Sequence, residues 1–277
     1  MSDAASSQTP GEVIDIRHCH EISEFQACVD LQREVWKFSD ADLVPVRMFV
    51  VANKIGGQVI GAFAGEALVG FALSIPGARD GHSYLHSHML AVREQYRNAG
   101  LGRRLKLAQR DDAIGRGFEL MEWTFDPLEI KNAYLNIERL GAIVRRYSVN
   151  QYGMSSSPLQ AGLPTDRCVA EWWLSSNRVR ELLERGRRPS SNPEKTISMP
   201  AAIYQWKSDP AQRKRALDVL LATREQFQKA IAAGLTVLGY DRDKEGNGSF
   251  VLGHPRERFD FKTTVSERET LPATSCT

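Results

Sequence analysis

Residues 86–105, HSHMLAVREQYRNAGLGRRL, contain the side chains whose types and spacing are best suited to chemistry. His86 and His88 are two positions apart on a predicted strand, so both side chains are expected on one side of it. An imidazole with its ordinary pKa of about 6.5 is mostly neutral at pH 7 and can accept a proton. The pair is therefore a candidate for proton transfer, and the alternative is two hydrogen-bonded structural histidines.

A glycine-bearing turn follows this strand, and a helix is predicted to begin in it. The first N–H groups of a helix have no partner inside the helix, so they can bind an anion such as a phosphate. Gly100 and Gly102 allow close approach to the backbone. Arg97, Arg103 and Arg104 can neutralise the charge. The simpler alternative is a tight turn beside a solvated basic face.

Two other phosphate-binding motifs do not fit this turn. A Walker loop needs a lysine followed by Ser or Thr after its last glycine, whereas Arg103 and Arg104 follow Gly102. A dinucleotide-binding fingerprint needs a third Gly or Ala where Leu105 stands, and the preceding chain is predicted to be antiparallel. Both alternatives are therefore disfavoured.

Residues 97–102, RNAGLG, match a third pattern, the acetyl-CoA-binding motif of the GNAT acyltransferase superfamily. That motif is Arg or Gln, two residues, Gly, one residue, then Gly or Ala. It follows a strand ending in LAV, and the later ERLGA resembles the KLGF-type helix end of the family. From Val13 to about Leu174 the order of predicted elements is similar to that of the family. This resemblance implies a GNAT-type N-acetyltransferase that uses acetyl-CoA, or another acyl-CoA, as co-substrate and needs no metal.

The resemblance also implies where the cofactor binds. The CoA diphosphate would contact the turn and the helix N-terminus, and pantetheine would pair with the strand before them. The backbone amide near Leu90 would polarise the acyl carbonyl as an oxyanion donor. The implied cofactor-binding residues are Leu90, Ala91, Val92, Arg97, Asn98, Ala99, Gly100, Leu101, Gly102 and Arg103.

The catalytic side chains are implied in the same way. HSHMLAV is similar to the paired-histidine strand of arylalkylamine N-acetyltransferases, which makes His86 and His88 the expected proton acceptors. Many members place a tyrosine acid four residues before the glycine of KLGF, but that position is Ile137 here. Tyr134, three residues earlier on the same helical face, is the candidate acid, although it fits an ordinary core residue equally well. A thiol with a pKa of about 8.5 also leaves fairly well without an acid.

Arg145 and Arg146 lie together on a later predicted strand. A pair of guanidinium groups could hold the carboxylate of an amino-acid-like acceptor. An exposed basic face is the simpler explanation of the same two residues. The two arginines are therefore candidate substrate-binding residues, and the alternative is that they form an exposed basic face.

These elements predict an α/β fold with a GNAT-like mixed, mostly antiparallel sheet flanked by helices. A helix is predicted to begin with Asp126 as its N-cap and to stop at Gly141, and TISMPAAIYQW is predicted to be a strand. The predicted organisation is a disordered leader at 1–12, the acyltransferase domain at 13–175, a helix and linker at 176–195, a smaller C-terminal α/β extension at 196–254 and a flexible tail at 255–277.

Composition narrows the class of protein and its partners. The net charge of the 277 residues is +2, which is too weak a bias to indicate a nucleic-acid-binding or membrane-surface protein. The four cysteines show no CxxC pair or zinc-type spacing, and no signal peptide or long apolar run is present. We therefore expect a reduced, cytoplasmic protein that binds neither nucleic acid nor membrane. A homodimer is one of several roles open to the C-terminal extension.

The predicted function is transfer of an acyl group, most simply acetyl, from CoA to a primary amine of a small molecule, including an amino-acid-like amine, by direct attack. The alternative is a non-catalytic acyl-CoA-binding sensor. Its best support is the missing tyrosine at position 137.

Overall fold

The computed structural model describes residues 13–186 and 192–261. Within them the α-helices are α1 (Ile22–Trp36), α2 (Val46–Lys54), α3 (Leu101–Gly115), α4 (Ile130–Tyr134), α5 (Asn177–Arg185), α6 (Ile203–Ser208) and α7 (Arg213–Ala232). The strands are β1 (Ile14–His18), β2 (Gln58–Ala64), β3 (Ala67–Arg79), β4 (His82–Val92), β5 (Leu120–Phe125), β6 (Ile143–Ser148), β7 (Arg167–Trp173), β8 (Lys195–Met199), β9 (Thr236–Arg242) and β10 (Gly248–Gly253). The predicted leader at 1–12 and positions 262–277 of the predicted tail lie outside the described residues.

The strands of the described residues form one ten-stranded sheet in the order β1-β2-β3-β4-β5-β7-β6-β9-β10-β8. The β4–β5 pair is parallel, and the other neighbours are antiparallel. Together with the helices on its faces, this confirms the predicted mixed, mostly antiparallel α/β fold.

The two parallel strands separate soon after they meet. Their register contains Leu85 opposite Met121 and His86 opposite Glu122, and no later pair among the described residues. β4 nevertheless continues to Val92. From Ser87 onward β4 is hydrogen-bonded only on its β3 side, which leaves an open cleft between β4 and β5.

Helices cover both faces of the first half of the sheet. Neighbouring β2 residues point to opposite faces, with Val59 in the core beneath α1 and α2 and Ile60 in the core beneath α3. The cleft therefore connects the face covered by α3 with the face covered by α1 and α2. A ligand bound across the sheet can reach both faces there.

The C-terminal part of the chain extends the same sheet. β9 pairs with β6 at Val237 and Val144, and β10 and β8 follow it outward. Phe250 of β10 packs in one core with Phe125 of β5. Phe259, at the start of the predicted tail, is buried too. The boundaries predicted for the extension and the tail stay predictions. The strands of the extension nevertheless share a hydrophobic core with the strands that precede them in the chain.

Two predicted elements begin or end elsewhere. The helix predicted to begin at Asp126 begins at Ile130, because Asp126 Oδ1 accepts a hydrogen bond from the Leu128 N–H and closes a turn instead. The strand predicted over TISMPAAIYQW ends at Met199. Pro200, which has no N–H for a strand ladder, follows it, and α6 begins soon afterwards.

A buried carboxylate joins α7 to the segment before β7. Asp166 accepts hydrogen bonds from Arg224 at 2.8 and 2.9 Å, from the Tyr147 hydroxyl at 2.8 Å and from the Asn150 N–H at 3.0 Å. Burial alone would raise the pKa of Asp166, but these hydrogen bonds outweigh it and lower that pKa. Its contribution to stability is therefore present above about pH 4 and lost as the pH falls further.

We expect Asp166→Asn to lower the free energy of unfolding by about 2 to 3 kcal/mol, because it breaks a largely buried ion pair. Urea denaturation measures this difference. The matched control is Glu225→Gln on the same helix, where an exposed pair with Lys229 is lost and no measurable change is expected. Equal stability of the Asp166 variant and the wild type would show that α7 is not held by this pair.

Candidate active site

The cleft between β4 and β5 opens into a cavity of about 640 Å³. One wall is β4 from Ser87 to Leu90, and the opposite wall is Trp123 to Asp126 of β5 and its turn. Lys106 of α3 and Asn136, on the π-helical turn that continues α4, also line it. The cavity thus begins next to α3 and reaches the loops on the other face.

Two loops close the far side of the cavity, one between α1 and α2 and the other between β6 and β7. Trp36 is the last residue of α1, Asp42 lies between α1 and α2, and Ser156 and Ser157 lie between β6 and β7. Asp42 accepts a hydrogen bond from the Ser156 N–H at 2.9 Å, and the Ser157 hydroxyl donates to the Trp36 carbonyl at 2.7 Å. The two loops therefore hold each other over the cavity.

An anion site stands at the start of α3. Gly100 is its N-cap with a φ of 80°, a left-handed conformation that favours glycine. The N–H groups of Leu101, Gly102 and Arg103 occupy the first helical turn, where no intrahelical acceptor exists. They point out of the helix end and can bind an anion together.

The arginines around this turn differ in their contacts. Arg97 Nε donates to the Val92 carbonyl at 2.9 Å, whereas Arg104 reaches away to the Ile14 carbonyl at 2.9 Å. Arg103 Nε donates to the Arg139 carbonyl at 3.2 Å. Burial lowers the pKa of Arg103, and the charge of Arg139 lowers it further. Arg103 forms no ion pair with a carboxylate among the described residues, so its charge is available to a phosphate.

Gly102 faces open space on the side toward β4. A Cβ built there would meet Leu90 Cδ2 at 3.8 Å and Val92 Cγ2 at 4.0 Å, which are ordinary contacts. Folding therefore does not require glycine at this position. The space next to it is wide enough for a ligand that contacts the backbone.

The backbone of β4 presents hydrogen-bonding groups to the cleft. Arg93 N–H donates to Val69 of β3 at 2.8 Å. Alternate residues of an antiparallel strand bond to the same neighbour, so the N–H groups of Ala91 and Arg93 face β3 and those of Leu90 and Val92 face the opposite edge. β5 is absent from that edge. The Leu90 N–H is therefore open to the cavity.

His88 lies at a β-bulge. Leu73 of β3 pairs with Met89 and Ser74 pairs with Ser87, so His88 is the extra residue of β4. A bulge redirects side chains and is common beside active sites. His88 lines the cavity. Although the residue is partly exposed, the protein atoms around its ring desolvate it and lower the pKa of His88.

His86 lies close to His88 but outside the lining of the cavity. The two ring centroids are 6.2 Å apart. Burial lowers the pKa of His86 to about 4, and the charges of His88, Lys106 and Arg146 contribute to this shift. Both imidazoles are consequently neutral at pH 7, and His88 has the more direct access to a bound molecule.

Tyr134 does not line the cavity. Its ring lies 5.8 Å from the guanidinium carbon of Arg242 in β9, on the side of the C-terminal strands. Asn132 and Asn136 are polar residues of this region that do line the cavity, and Asn136 donates to Asn132 at 3.2 Å. Ile137, which occupies the position of the expected tyrosine, is fully buried. The acid role of Tyr134 stays a prediction, and this placement gives it no support.

Arg145 and Arg146 neutralise buried acids. Arg145 bonds Glu171 at 2.5 Å, and Arg146 bonds Glu171 at 3.2 Å and also pairs with Glu122. Both glutamates are almost completely buried. Neither arginine lines the cavity. Their substrate-binding role stays a prediction, while their observed contacts are structural.

Further charged groups line the cavity without having been predicted from the sequence. Lys207 of α6 bonds Asp126 at 3.1 Å and Glu129 at 2.7 Å. Arg167 donates to the Asp166 carbonyl at 2.8 Å and to Gln160 at 3.2 Å. Arg167 forms no ion pair with a carboxylate among the described residues. No sequence motif indicates these side chains, because strands and helices distant along the chain bring them together.

Two negative findings apply to the described ranges, 13–186 and 192–261. No cluster of three or more His, Cys, Asp or Glu side chains there has the arrangement of a metal site. No helix there has the length and apolar character needed to cross a membrane.

Part of the chain matches a known protein family. Residues 19–134 match the acetyltransferase (GNAT) family. No curated protein matches the sequence.

Similar solved structures cover most of their own length but a smaller share of this chain. Ribosomal-protein-S18-alanine N-acetyltransferase from Escherichia coli is 16% identical with a TM-score of 0.48, covering 59% of this chain and 96% of that chain. The Salmonella typhimurium protein yncA, solved with its cofactor acetyl-CoA, is 16% identical with a TM-score of 0.48. The match covers 59% of this chain and 95% of that chain. Aminoglycoside 6'-acetyltransferase type Ii is 18% identical with a TM-score of 0.47. The match covers 59% of this chain and 99% of that chain.

Proposed function

Residues 19–134 of this chain are a GNAT acetyltransferase domain, and from this premise we propose that the protein transfers an acetyl group from acetyl-CoA to a primary amine of a small molecule. Acyl-CoA-dependent acyl transfer is the activity of the family. The choice of acetyl and of a small-molecule amine is the proposal. It is supported by the cavity between β4 and β5, which joins the anion site to His88.

The chain offers suitable groups along the whole length of the cofactor. The N–H groups of Leu101, Gly102 and Arg103 suit the diphosphate, and Arg103 adds a positive charge. The cleft edge of β4 offers the backbone groups of Leu90 and Val92 to the amides of pantetheine. Acetyl-CoA supplies the thioester that an amine attacks. These contacts would orient the thioester toward the middle of the cavity.

In the middle of the cavity, the Leu90 N–H and the His88 imidazole of β4 take different roles in the reaction. The Leu90 N–H donates to the acyl oxygen and stabilises the negative charge that develops on it. His88 accepts the proton of the attacking amine, because its lowered pKa keeps the imidazole neutral at pH 7. The bulge at His88 allows both groups to face the same cavity. This shared exposure of Leu90 and His88 is the observation that carries the proposal.

The far side of the cavity suits an amine that also carries a carboxylate. Trp36, Phe38 and Tyr152 provide apolar and aromatic surface. Arg167 provides a guanidinium that donates to one backbone carbonyl and one amide oxygen, so donors remain for a carboxylate. Arg167 therefore takes the role that the sequence suggested for Arg145. An amino-acid-like acceptor fits this wall.

The experiment that tests the proposed function measures release of free thiol from acetyl-CoA in the presence of a panel of amines and amino acids. We expect turnover that depends on both acetyl-CoA and an amine. Binding of acetyl-CoA without turnover across broad panels of amines and acyl groups would instead indicate a sensor. Absence of binding would contradict the cofactor site itself.

We expect Arg167→Met to raise the KM for an amino acid about 10-fold, since a charge-assisted hydrogen bond contributes roughly 1.5 kcal/mol or more. The matched substrate is the same amino acid without its carboxylate, for which KM should not change. Steady-state kinetics with the two acceptors make the comparison. Equal effects on both acceptors would show that Arg167 does not contact a carboxylate.

A further inference from the structure

Lys106 is a buried cation in the cavity wall that the mechanism above does not use. Its side chain projects from α3 into the cleft and is 2% exposed. Nζ donates to the Ser87 hydroxyl at 2.7 Å and lies 3.6 Å from the centroid of the Trp123 ring. It forms no ion pair with a carboxylate among the described residues. A buried lysine without an acidic partner is unusual in a protein interior and needs an explanation.

The hydrogen bonds around Lys106 fix its donor role. The Ser87 hydroxyl donates its own proton to Gln109 Oε1 at 2.9 Å, so its oxygen accepts from Lys106. The indole face of Trp123 attracts the positive form of Lys106. The network therefore holds Nζ between β4 and β5 with a proton left for a ligand.

Lys106 is also placed where the sulfur of a bound thioester would come. It is four residues after Gly102, so both residues lie on the face of α3 that contacts β4. Gly102 lies beside Leu90 and Val92, and Lys106 lies beside Ser87. A ligand extending from the helix end along the cleft edge of β4 therefore passes Nζ as it enters the cavity.

We propose that Lys106 is the general acid that protonates the departing thiolate of CoA. The inference rests on the proposed function, and it fills the role for which the family's tyrosine is missing at Ile137. As the amine nitrogen bonds to the acyl carbon, the carbon–sulfur bond breaks and its electron pair goes to sulfur. Sulfur takes a proton from the Lys106 ammonium, and His88 takes one from the amine. Solvent in the cavity returns that proton to Lys106, so a neutral amine reacts with no net proton change.

The charged surroundings suit this role. His88 lines the cavity from β4 together with Asp126, Glu129 and Lys207, and the charge of Lys106 acts on His86, which lies outside the lining. Burial lowers the pKa of Lys106 well below its ordinary value. An acid is most effective when its pKa is close to that of the group it protonates and to the working pH. An ordinary exposed lysine would be a weaker acid.

The test compares two donors that differ in the leaving atom, acetyl-CoA and its selenium analogue, whose selenolate leaves without protonation. With acetyl-CoA, we expect Lys106→Met to lower kcat about 100-fold, while the Kd for CoA changes less than about 3-fold. With the selenoester, the loss should be less than about 5-fold. Lys106→Arg should not restore activity, because a guanidinium donates hydrogen bonds but does not release a proton. Equal losses with both donors, or recovery in Lys106→Arg, would overturn the proposal.

A second measurement needs no variant. In the wild type, kcat with acetyl-CoA should fall as the pH rises through the pKa of Lys106, because the acid must be protonated. With the selenoester that alkaline decline should be absent. The same decline with both donors would overturn the acid role even if Lys106→Met did not fold. Failure of the proposed function is distinct, since the wild type would then turn over neither donor.

Discussion

Replacing His88 with glutamine is expected to lower kcat by at least about 100-fold, the lower range for loss of a general base. Glutamine keeps the size and polarity of the side chain but cannot accept a proton from the attacking amine. The affinity for CoA should stay unchanged, because the proposed diphosphate site at the start of α3 does not include His88. Steady-state kinetics with the best amine and calorimetry with CoA measure the two quantities.

Two further histidines provide the controls. His20→Gln lies on the exposed surface outside the cavity and should change neither kcat nor affinity. His86→Gln should have a smaller effect than His88→Gln, since His86 does not line the cavity. A variant His88→Gln with wild-type kcat would remove this residue from the mechanism.

The pH dependence of the wild type follows from the same assignment. His88 must be neutral to accept a proton, so kcat/KM should fall as the pH falls through the pKa of His88. Because desolvation lowers that pKa below its ordinary value of about 6.5, activity should persist at pH values where a free imidazole is already protonated. An acidic decline centred above pH 6.5 would contradict the observed environment.

Gly102→Glu is expected to weaken CoA binding about 100-fold without weakening the fold. The acetyl-CoA-binding motif accepts alanine at this position, but a glutamate side chain occupies the space through which a diphosphate approaches the first-turn N–H groups and adds a negative charge there. Loss of two charge-assisted hydrogen bonds at roughly 1.5 kcal/mol each gives about 3 kcal/mol, which is about 100-fold in Kd. Calorimetry with CoA measures the affinity, and thermal unfolding measures the stability.

Gly115→Glu is the matched control at the other end of α3. A Cβ there meets nothing within 4 Å, and its φ is not in the left-handed region. Both substitutions should stabilise the helix slightly, since glutamate is a better helix former than glycine. Only Gly102→Glu should lose CoA. Equal affinity of the two variants would show that the diphosphate does not lie against the start of α3.

The local features of the site could be predicted from the sequence. The turn at 97–102 and the start of α3 depend on residues next to one another, so the glycines and the helix pattern were sufficient. The strand before the turn was also predicted, whereas the role of Leu90 came only from the resemblance to the family. The alternation of β4 was altered by the bulge at His88, which no local signal indicates.

The distant features could not be predicted in this way. Arg145 and Arg146 were predicted to bind substrate, but they bond glutamates on neighbouring strands, and only the strand order reveals those partners. Arg167 and Lys207 reach the cavity because β7 and α6, which are far apart along the chain, both border it. Lys106 was visible four residues after Gly102, and that helical spacing could have identified it.

One measurement tests the central claim most directly, which is that the cleft between β4 and β5 takes a CoA thioester held at the start of α3. Isothermal titration of the intact wild-type protein with acetyl-CoA should show one saturable site per chain. Titration with adenosine alone, which lacks the diphosphate, should show none at the same concentrations. Absence of acetyl-CoA binding by folded protein, or equal binding of adenosine, would contradict the account.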